Sequence, residues 1–193
     1  MAANAKIATK YKAKHVWWDD LKKRVVHPID VEAYRCGKKL MTPKSYFRFD
    51  SQHEFKVYLE LVRQYGYERI IRQYEIQIIS PGICYPNGRT WRVDFAITLK
   101  TDRNNIVELY EAKGLVTREF TYILPLLEIA EPKLFNSLNI VFPGKVPLQN
   151  KVIKAMAKSV LAENLITLKD LQKQPILPWL RLRMNTTPVW WLW

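Results

Sequence analysis

The chain has 193 residues, of which 48% are hydrophobic and 12% aromatic, and its formal net charge is +13. A chain of this size can bury one substantial core, and we expect a single α/β domain with added segments. No apolar run is long enough to span a bilayer, and two cysteines are too few for a disulfide framework, which excludes a membrane protein and a disulfide-rich secreted protein. The basic N-terminus has no apolar signal core, so we expect an intracellular, cytoplasmic protein.

The positive charge is concentrated at the two ends of the chain. Residues 1–48 carry a net +8 and residues 145–193 a net +6, whereas residues 49–144 carry −1. We therefore predict a basic N-terminal arm (1–48), a core (49–144) and a C-terminal extension packed on that core (145–193). Basic flanks can bind a polyanion such as DNA, and increased solubility is the alternative explanation.

The N-terminal arm combines lysines with aromatic side chains. Lys22, Lys23 and Arg24 form a basic run that could contact phosphates. Trp17 and Trp18 could stack on exposed bases, but paired tryptophans more often anchor a segment, and we favour anchoring.

A helix is predicted next, over residues 49–62. Ser51 and Glu54 have the spacing of a capping box, in which the Glu54 carboxylate accepts a hydrogen bond from the start of the helix. Glu54 also begins the apolar stripe of this helix, so its carboxylate could instead face the protein interior and serve a site there. The stripe continues with Tyr58, Leu61 and Val62.

Two strands, over residues 74–85 and 90–99, follow the helix. The intervening Pro86-Asn87-Gly88 predicts a hairpin with a type I′ turn. Arg89 and Arg92 lie just behind this turn, so it could project into a DNA groove; a turn without function is the alternative.

A second hairpin is predicted from a strand at 91–99, a polar turn at 100–105 and a strand at 106–112. Glu111 and Lys113 are two residues apart and project to the same side, and the hairpin places Asp94 opposite them. Two carboxylates so placed suit Mg²⁺, and an adjacent ammonium could orient a water or stabilise charge on a phosphate. An exposed hairpin with a simple Glu–Lys pair is the alternative.

The α/β alternation continues with a helix over 118–130, kinked at Pro125, and a short buried strand over 138–142. Residues 149–163 predict an amphipathic helix. Its inward residues are Val152, Ile153, Met156, Val160 and Leu161, and its outward residues are Lys151, Lys154 and Lys158. These lysines could lie along a nucleic-acid backbone or simply form a solvated face.

With these residues in this order, the chain resembles the PD-(D/E)XK nuclease superfamily, in particular small endonucleases of phages and mobile elements. The similarity runs from residue 49 to 142, through FDSQHEF, VDF and EAKG with Thr117 soon after; Val93 stands where that family usually has Pro. The resemblance implies a restriction-endonuclease-like core, with a mixed sheet flanked by helices. It also implies Mg²⁺-dependent DNA cleavage, with Mn²⁺ as a substitute ion, that leaves a 5′-phosphate and a 3′-hydroxyl.

The resemblance also assigns roles to four positions. Asp94, Glu111 and the Ala112 carbonyl would hold the metal, and Glu54 would complete the site directly or through water. Lys113 would position the attacking hydroxide. Gln73 lies in a segment like the first core strand of such nucleases and could contact the substrate, although polar residues at strand starts are common.

Three biological settings are compatible with this resemblance, in a bacterial or phage-infected cell. One is a phage enzyme that cuts branched DNA, another is the end-cleaving subunit of a transposon that acts with a transposase, and the third is a non-catalytic DNA-binding protein on a nuclease scaffold. The tail carries Trp179, Trp190, Trp191 and Trp193. So much aromatic surface predicts docking on the core, on a second copy of the chain or on a recombination partner.

Overall fold

The computed structural model describes residues 15–26, 46–98 and 105–175. The chain divides into two compact units, Met1–Lys56 and Val57–Trp193. The division lies inside a helix, and the segment boundaries expected at residues 48 and 144 stay predictions. Residues 99–104, which include most of the turn predicted at 100–105, and the tryptophan-rich segment 179–193 lie outside the described residues.

The first unit contains a small antiparallel sheet in the order β2-β1-β3. Its strands are β1 (Val16–Asp19), β2 (Arg24–Val26) and β3 (Tyr46–Phe49). Asp19 shapes the turn after β1, because its Oδ1 accepts hydrogen bonds from the N–H groups of Leu21 and Lys22, both at 3.0 Å. A short polar side chain that satisfies the local backbone in this way stabilises a tight reversal of the chain.

Aromatic side chains pack together in the first unit. The ring centroids of Trp18 and Phe55 are 5.5 Å apart, and those of Phe49 and Phe55 are 5.2 Å apart. Trp18 and Phe49 are both buried. The structure thus supports an anchoring role for Trp18, as the sequence favoured.

Helix α1 (Gln52–Tyr65) begins in the first unit and ends in the second. Ser51 caps it, since the Ser51 hydroxyl accepts a 3.0 Å hydrogen bond from the Glu54 N–H. The predicted apolar stripe is confirmed by the burial of Tyr58, Leu61 and Val62. This helix therefore packs through the face that its 3.6-residue periodicity indicated.

The second unit is built on a five-stranded mixed sheet in the order β4-β5-β6-β7-β8. Strands β4, β5 and β6 are antiparallel neighbours, whereas β6, β7 and β8 are parallel. The strands are β4 (Ile70–Ile79), β5 (Arg89–Thr98), β6 (Ile106–Ala112), β7 (Leu138–Phe142) and β8 (Leu165–Thr167). Strand β6 is thus the point where the two pairing modes meet.

Helices cover this sheet. They are the C-terminal part of α1, α2 (Arg118–Ala130), α3 (Pro132–Asn136), α4 (Lys151–Met156) and α5 (Leu168–Lys173). Consecutive residues of β6 point to opposite faces of the sheet. Leu109 lies in the core cluster with Leu124 of α2, whereas Tyr110 contacts Tyr65 of α1. The predicted α/β class and mixed sheet are therefore confirmed. Among the described residues, no helix is long and apolar enough to span a membrane.

Several predicted elements agree with the structure. Strands β6 and β7 and helix α2 have the predicted bounds, and Pro125 lies inside α2. The first hairpin differs, because β4 ends at Ile79 and a nine-residue connection precedes β5.

The type I′ turn prediction is wrong. A type I′ turn needs a positive φ at both central residues, but only Gly88 of the Asn87-Gly88 pair has one, at 65°. The Gly88 N–H instead donates to the Tyr85 carbonyl at 2.8 Å, with Pro86 and Asn87 between them. This is the arrangement of a type I turn, in which Pro favours the first central position and Gly the last position.

The helix predicted over 149–163 is also shorter than expected. Asn150 caps its start, but α4 ends at Met156, and Val160, predicted to face inward, is 89% exposed. The Ser159 hydroxyl donates to the Met156 carbonyl and accepts from the Leu161 N–H. Such local side-chain bonds compete with a helical backbone. The chain then enters β8, which adds a further strand to the sheet beside β7.

Candidate active site

Asp94 and Glu111 face each other where strands β5 and β6 stop pairing. The last backbone pair of the two strands is Phe95 with Tyr110, and Asp94 and Glu111 come immediately beyond it. There the Asp94 N–H donates to Glu111 Oε2 at 3.1 Å, and the Ala112 N–H donates to Asp94 Oδ2 at 2.9 Å. Each carboxylate therefore accepts a hydrogen bond from the backbone of the opposite strand, and both are held in place by backbone.

Lys113 completes the cluster. Its ammonium donates to Glu111 Oε1 and forms an ion pair with that carboxylate. It also lies 4.4 Å from the centroid of the Phe120 ring, at the first turn of α2, and the Lys113 N–H donates to Val141 of β7 at 2.9 Å. The backbone bond and the cation–π contact hold the ammonium at the edge of the sheet. The predicted convergence of Asp94, Glu111 and Lys113 is therefore present.

The charge of this cluster is poorly compensated. Glu111 is almost fully buried, with 4% of its side chain exposed, and Lys113 is more accessible at 22%. Burial, and after it the charge of Glu111, raises the pKa of Asp94 from its ordinary value to about 8. The Ala112 N–H, Lys113 and the Gln73 amide act in the opposite direction without cancelling this effect. With both carboxylates ionised, the single ammonium would leave an excess of negative charge, which a cation would neutralise in place of the Asp94 proton.

Glu54 belongs to the first unit and is buried at the third position of α1. Its Oε2 accepts a 2.8 Å hydrogen bond from the Asp50 N–H, while its own N–H donates to the Ser51 hydroxyl. The structure supports the helix-capping role that the sequence offered as one of two alternatives. Its role as a metal ligand stays a prediction.

The available ligand atoms suit a hard divalent cation. Within residues 15–26, 46–98 and 105–175, no three His, Cys, Asp or Glu side chains form a group that could hold a metal ion. Asp94 and Glu111 are a pair of oxygen donors, and Mg²⁺ is commonly bound by one or two carboxylates while it keeps several waters. The residues present therefore fit Mg²⁺ or Mn²⁺ better than they fit a soft metal.

The predicted DNA-contacting residues differ in their surroundings. Lys151, Lys154 and Lys158 are exposed, with Lys151 and Lys154 on α4. By contrast, Arg89 pairs with Glu119 at 3.3 Å and Arg92 pairs with Glu75 at 2.9 Å. In the first unit, Lys22, Lys23 and Arg24 are exposed at the β1–β2 turn, where Lys23 pairs with Asp20. The three lysines at 151–158 are therefore better candidates for contact with phosphate than Arg89 and Arg92.

Two features of the site were not evident in the sequence. Phe120, the ring beside Lys113, is seven residues further along the chain and belongs to no motif. Thr117, which the family resemblance included, caps α2 by accepting a hydrogen bond from the Phe120 N–H at 3.2 Å. The apolar periodicity of α2 would predict that Phe120 is buried, but not that it contacts the ammonium.

Comparison of the chain with protein-family models, with curated proteins and with solved structures found no match.

Proposed function

We propose that this protein is a metal-dependent endonuclease that hydrolyses phosphodiester bonds in DNA. The observation that carries the proposal is the cluster of Asp94, Glu111 and Lys113 at the divergence of two strands. The succession of a helix with Glu54, a strand with Asp94 and a strand with Glu111 is also that of the PD-(D/E)XK superfamily. A mixed sheet covered by helices agrees with the restriction-endonuclease-like core that we propose for this chain.

Asp94, Glu111 and the Ala112 carbonyl would hold Mg²⁺, or Mn²⁺ in its place. When bound, such an ion neutralises charge that develops on the phosphate and makes water more acidic. The protein's own contribution is orientation. Each carboxylate accepts a hydrogen bond from the backbone of the opposite strand, so both keep their direction before an ion arrives. Glu54 is proposed to complete the site directly or through water.

Lys113 would act on the attacking water and on the phosphate. Its side chain is partly accessible, and Phe120 and Glu111 restrict where the ammonium can lie. An ammonium so placed orients the water and stabilises the negative charge of the transition state. In the hydrolysis, the water oxygen forms a bond to phosphorus and the bond from phosphorus to the 3′ oxygen breaks. The products carry a 5′-phosphate and a 3′-hydroxyl.

DNA is the proposed substrate because of the charge of the chain and the exposed lysines. The net charge is +13, although residues 49–144 carry −1. Lys151, Lys154 and Lys158 are exposed and form no ion pair within the described part of the chain, whereas Arg89 and Arg92 are each paired with a glutamate. Binding that depends on contacts with phosphate weakens steeply with salt.

The direct test is nicking of supercoiled plasmid with Mg²⁺ or Mn²⁺. We expect Asp94→Ala and Lys113→Ala to lower the nicking rate by more than about a hundredfold, because each removes a group that acts on the reacting phosphate. Glu128→Ala and Lys133→Ala remove exposed charges of the same sign elsewhere and should keep the parental rate. DNA binding in a gel-shift assay should be nearly unchanged in all four variants.

Two outcomes would contradict the proposal. Persistent nicking in both site variants would remove the mechanism. Salt-sensitive DNA binding with no nicking under either ion would instead favour a non-catalytic DNA-binding protein.

The biological setting can be separated with the same purified protein. Cleavage of a four-way junction by the chain alone would favour a phage enzyme that cuts branched DNA. Cleavage only with a transposase and transposon-end sequences would favour an end-cleaving subunit.

A further inference from the structure

Strand β4 contains a residue whose backbone is not that of a strand. Gln73 has φ of 51°, and Lys23 is the other non-glycine residue with positive φ among residues 15–26, 46–98 and 105–175. This left-handed conformation is unfavourable for a residue with a side chain, and it is rarer still in the middle of a strand. Such strain persists where the surrounding structure imposes it, often at a functional site.

The strained residue lies opposite Asp94. Strand β4 pairs with β5 through Arg72 with Phe95 and through Tyr74 with Val93. Gln73 is therefore the residue of β4 that lies opposite Asp94 of β5. That pair is missing from an otherwise continuous run of pairs from Ile70 to Gln77. The break in the ladder therefore coincides with the acidic residue of the candidate site.

The Gln73 side chain lies beside the Asp94 carboxylate. The Gln73 Nε2 is 3.4 Å from Asp94 Oδ1, at the long end for a hydrogen bond, while the Ala112 N–H donates to the other oxygen, Oδ2. One donor at each oxygen fixes the plane of the carboxylate. An ionised carboxylate has about four acceptor positions, so room for a cation remains.

A neutral donor has an advantage at this position. Lys113 already supplies one positive charge to the cluster, on the Glu111 side. A second ammonium or guanidinium at residue 73 would orient Asp94 equally well but would repel a divalent cation. An amide orients the carboxylate and leaves its negative charge available.

We propose that Gln73 is a positioning residue for Asp94, and that its left-handed backbone serves to direct the amide at Oδ1 so that the carboxylate is oriented for a divalent cation. The inference rests on the proposed function and names one more residue of the same site. Gln73 acts through Asp94 and is not assigned a contact with DNA.

The test separates the amide from the backbone strain. Gln73→Ala removes the amide and keeps the strain, whereas Gln73→Gly removes both. Gln77→Gly is the matched control, since Gln77 is an exposed glutamine in the same strand that pairs with Thr90 and has no positive φ. Binding of Mn²⁺ alone is measured by calorimetry, the Tm by circular dichroism, and nicking as a function of Mn²⁺ concentration.

We expect both Gln73 variants to bind Mn²⁺ about tenfold more weakly, which is the usual effect of losing a group that orients a metal ligand. Half-maximal nicking should require correspondingly more Mn²⁺, with a smaller change in the rate at saturation. The Tm of Gln73→Gly should be unchanged or up to about 4 °C higher, because strain is relieved. Gln77→Gly should lower the Tm by about 2–4 °C and leave Mn²⁺ binding unchanged.

The outcomes distinguish this inference from the proposed function. If Asp94→Ala abolishes Mn²⁺ binding while both Gln73 variants bind as the parent does, the inference about Gln73 fails alone. If Gln77→Gly weakens Mn²⁺ binding as much as the Gln73 variants do, general damage to the strand explains the effect and the inference also fails. If the unaltered chain binds no Mn²⁺, both are overturned.

Discussion

The carboxylates of Asp94 and Glu111 lie side by side, with Glu111 buried and Asp94 half-buried. Each accepts a hydrogen bond from the other strand, which favours its charged form, but burial and mutual repulsion raise the pKa of Asp94 to about 8. The folded chain therefore holds a proton on Asp94 at a pH where the unfolded chain has lost it. Such a pair of carboxylates reduces the stability of the folded chain, and a bound cation of the kind proposed would offset that loss.

This leads to a prediction for Asp94→Asn. Because the pKa rises on folding from 3.8 to about 8, the stability linked to this proton is fully present below 3.8 and is lost as the pH rises toward 8. Asn has no such proton to lose, so the variant avoids this loss of stability. Without metal and near pH 8, the free energy of unfolding of Asp94→Asn should therefore exceed that of the parent by an amount on the order of 2 kcal/mol. Near pH 4.5 the difference should be small. Urea unfolding at the two pH values measures this.

The control for this prediction is Glu75→Gln, which neutralises an exposed acid on the neighbouring strand. It should change the stability by no more than about 0.5 kcal/mol at either pH. Equal effects of the two substitutions near pH 8 would show that the overall charge, and not the contact of Asp94 with Glu111, is responsible. Mg²⁺ should raise the stability of the parent and have little effect on Asp94→Asn.

Among the secondary-structure elements, the connection between β4 and β5 depends most on one residue type. Gly88 has φ of 65°, and a Cβ at this position would lie 2.5 Å from the Ile79 carbonyl oxygen. In the turn before it, the Gly88 N–H donates a hydrogen bond to the Tyr85 carbonyl, so these two residues must also lie close together. Only glycine satisfies both conditions without movement of the backbone.

We therefore expect Gly88→Ala to lower the free energy of unfolding by about 2–3 kcal/mol, since it combines a steric clash with an unfavourable φ. Gly82→Ala in the same connection is the control. Its Cβ would lie 4.0 Å from the nearest atom, the Ser80 carbonyl oxygen, so a change within about 0.5 kcal/mol is expected. Urea unfolding of both variants measures the contrast, and a similar loss in both would contradict this account of the turn.

On the scale of the whole molecule, the positive charge and the acidic residues of the candidate site belong to different parts of the sequence. The net charge of +13 comes from residues 1–48 and 145–193, while residues 49–144, which include Asp94 and Glu111, carry −1. A basic protein with a local acidic site can attract a polyanion and still hold a divalent cation. Within the part of the chain that the structure describes, the exposed Lys151, Lys154 and Lys158 are the positive charges most readily tested by substitution.

Replacing Lys151, Lys154 and Lys158 together by Ala should weaken DNA binding and make it less sensitive to salt. Each lost phosphate contact should lower the slope of log affinity against log salt by about 0.9. The control replaces the exposed Lys133, Lys169 and Lys173, which alters the net charge equally. Fluorescence anisotropy over a series of salt concentrations gives both slopes. Equal slopes for the two triple variants would show that net charge alone governs binding.

How much was predictable differs between parts of the chain. Strands β6 and β7 and helix α2 followed from local hydrophobic periodicity, because one face of each must be buried. The helix predicted over 149–163 was wrong beyond Met156, where the Ser159 side chain bonds to local backbone and the chain continues into β8. The turn at Asn87-Gly88 was wrong because the same two residues fit more than one turn type.

The sequence by itself determined the α/β class, the hairpin that brings Asp94 opposite Glu111, and the common side of Glu111 and Lys113. These follow from the alternation of side chains along a strand, which is a local property of the backbone. Only the tertiary structure decided that Asp94 lies half-buried beside the buried Glu111 with a raised pKa, that Phe120 lies beside Lys113, and that Gln73 breaks the ladder at Asp94. Solvation, register and strain depend on which distant segments meet, and no local pattern of residues encodes that.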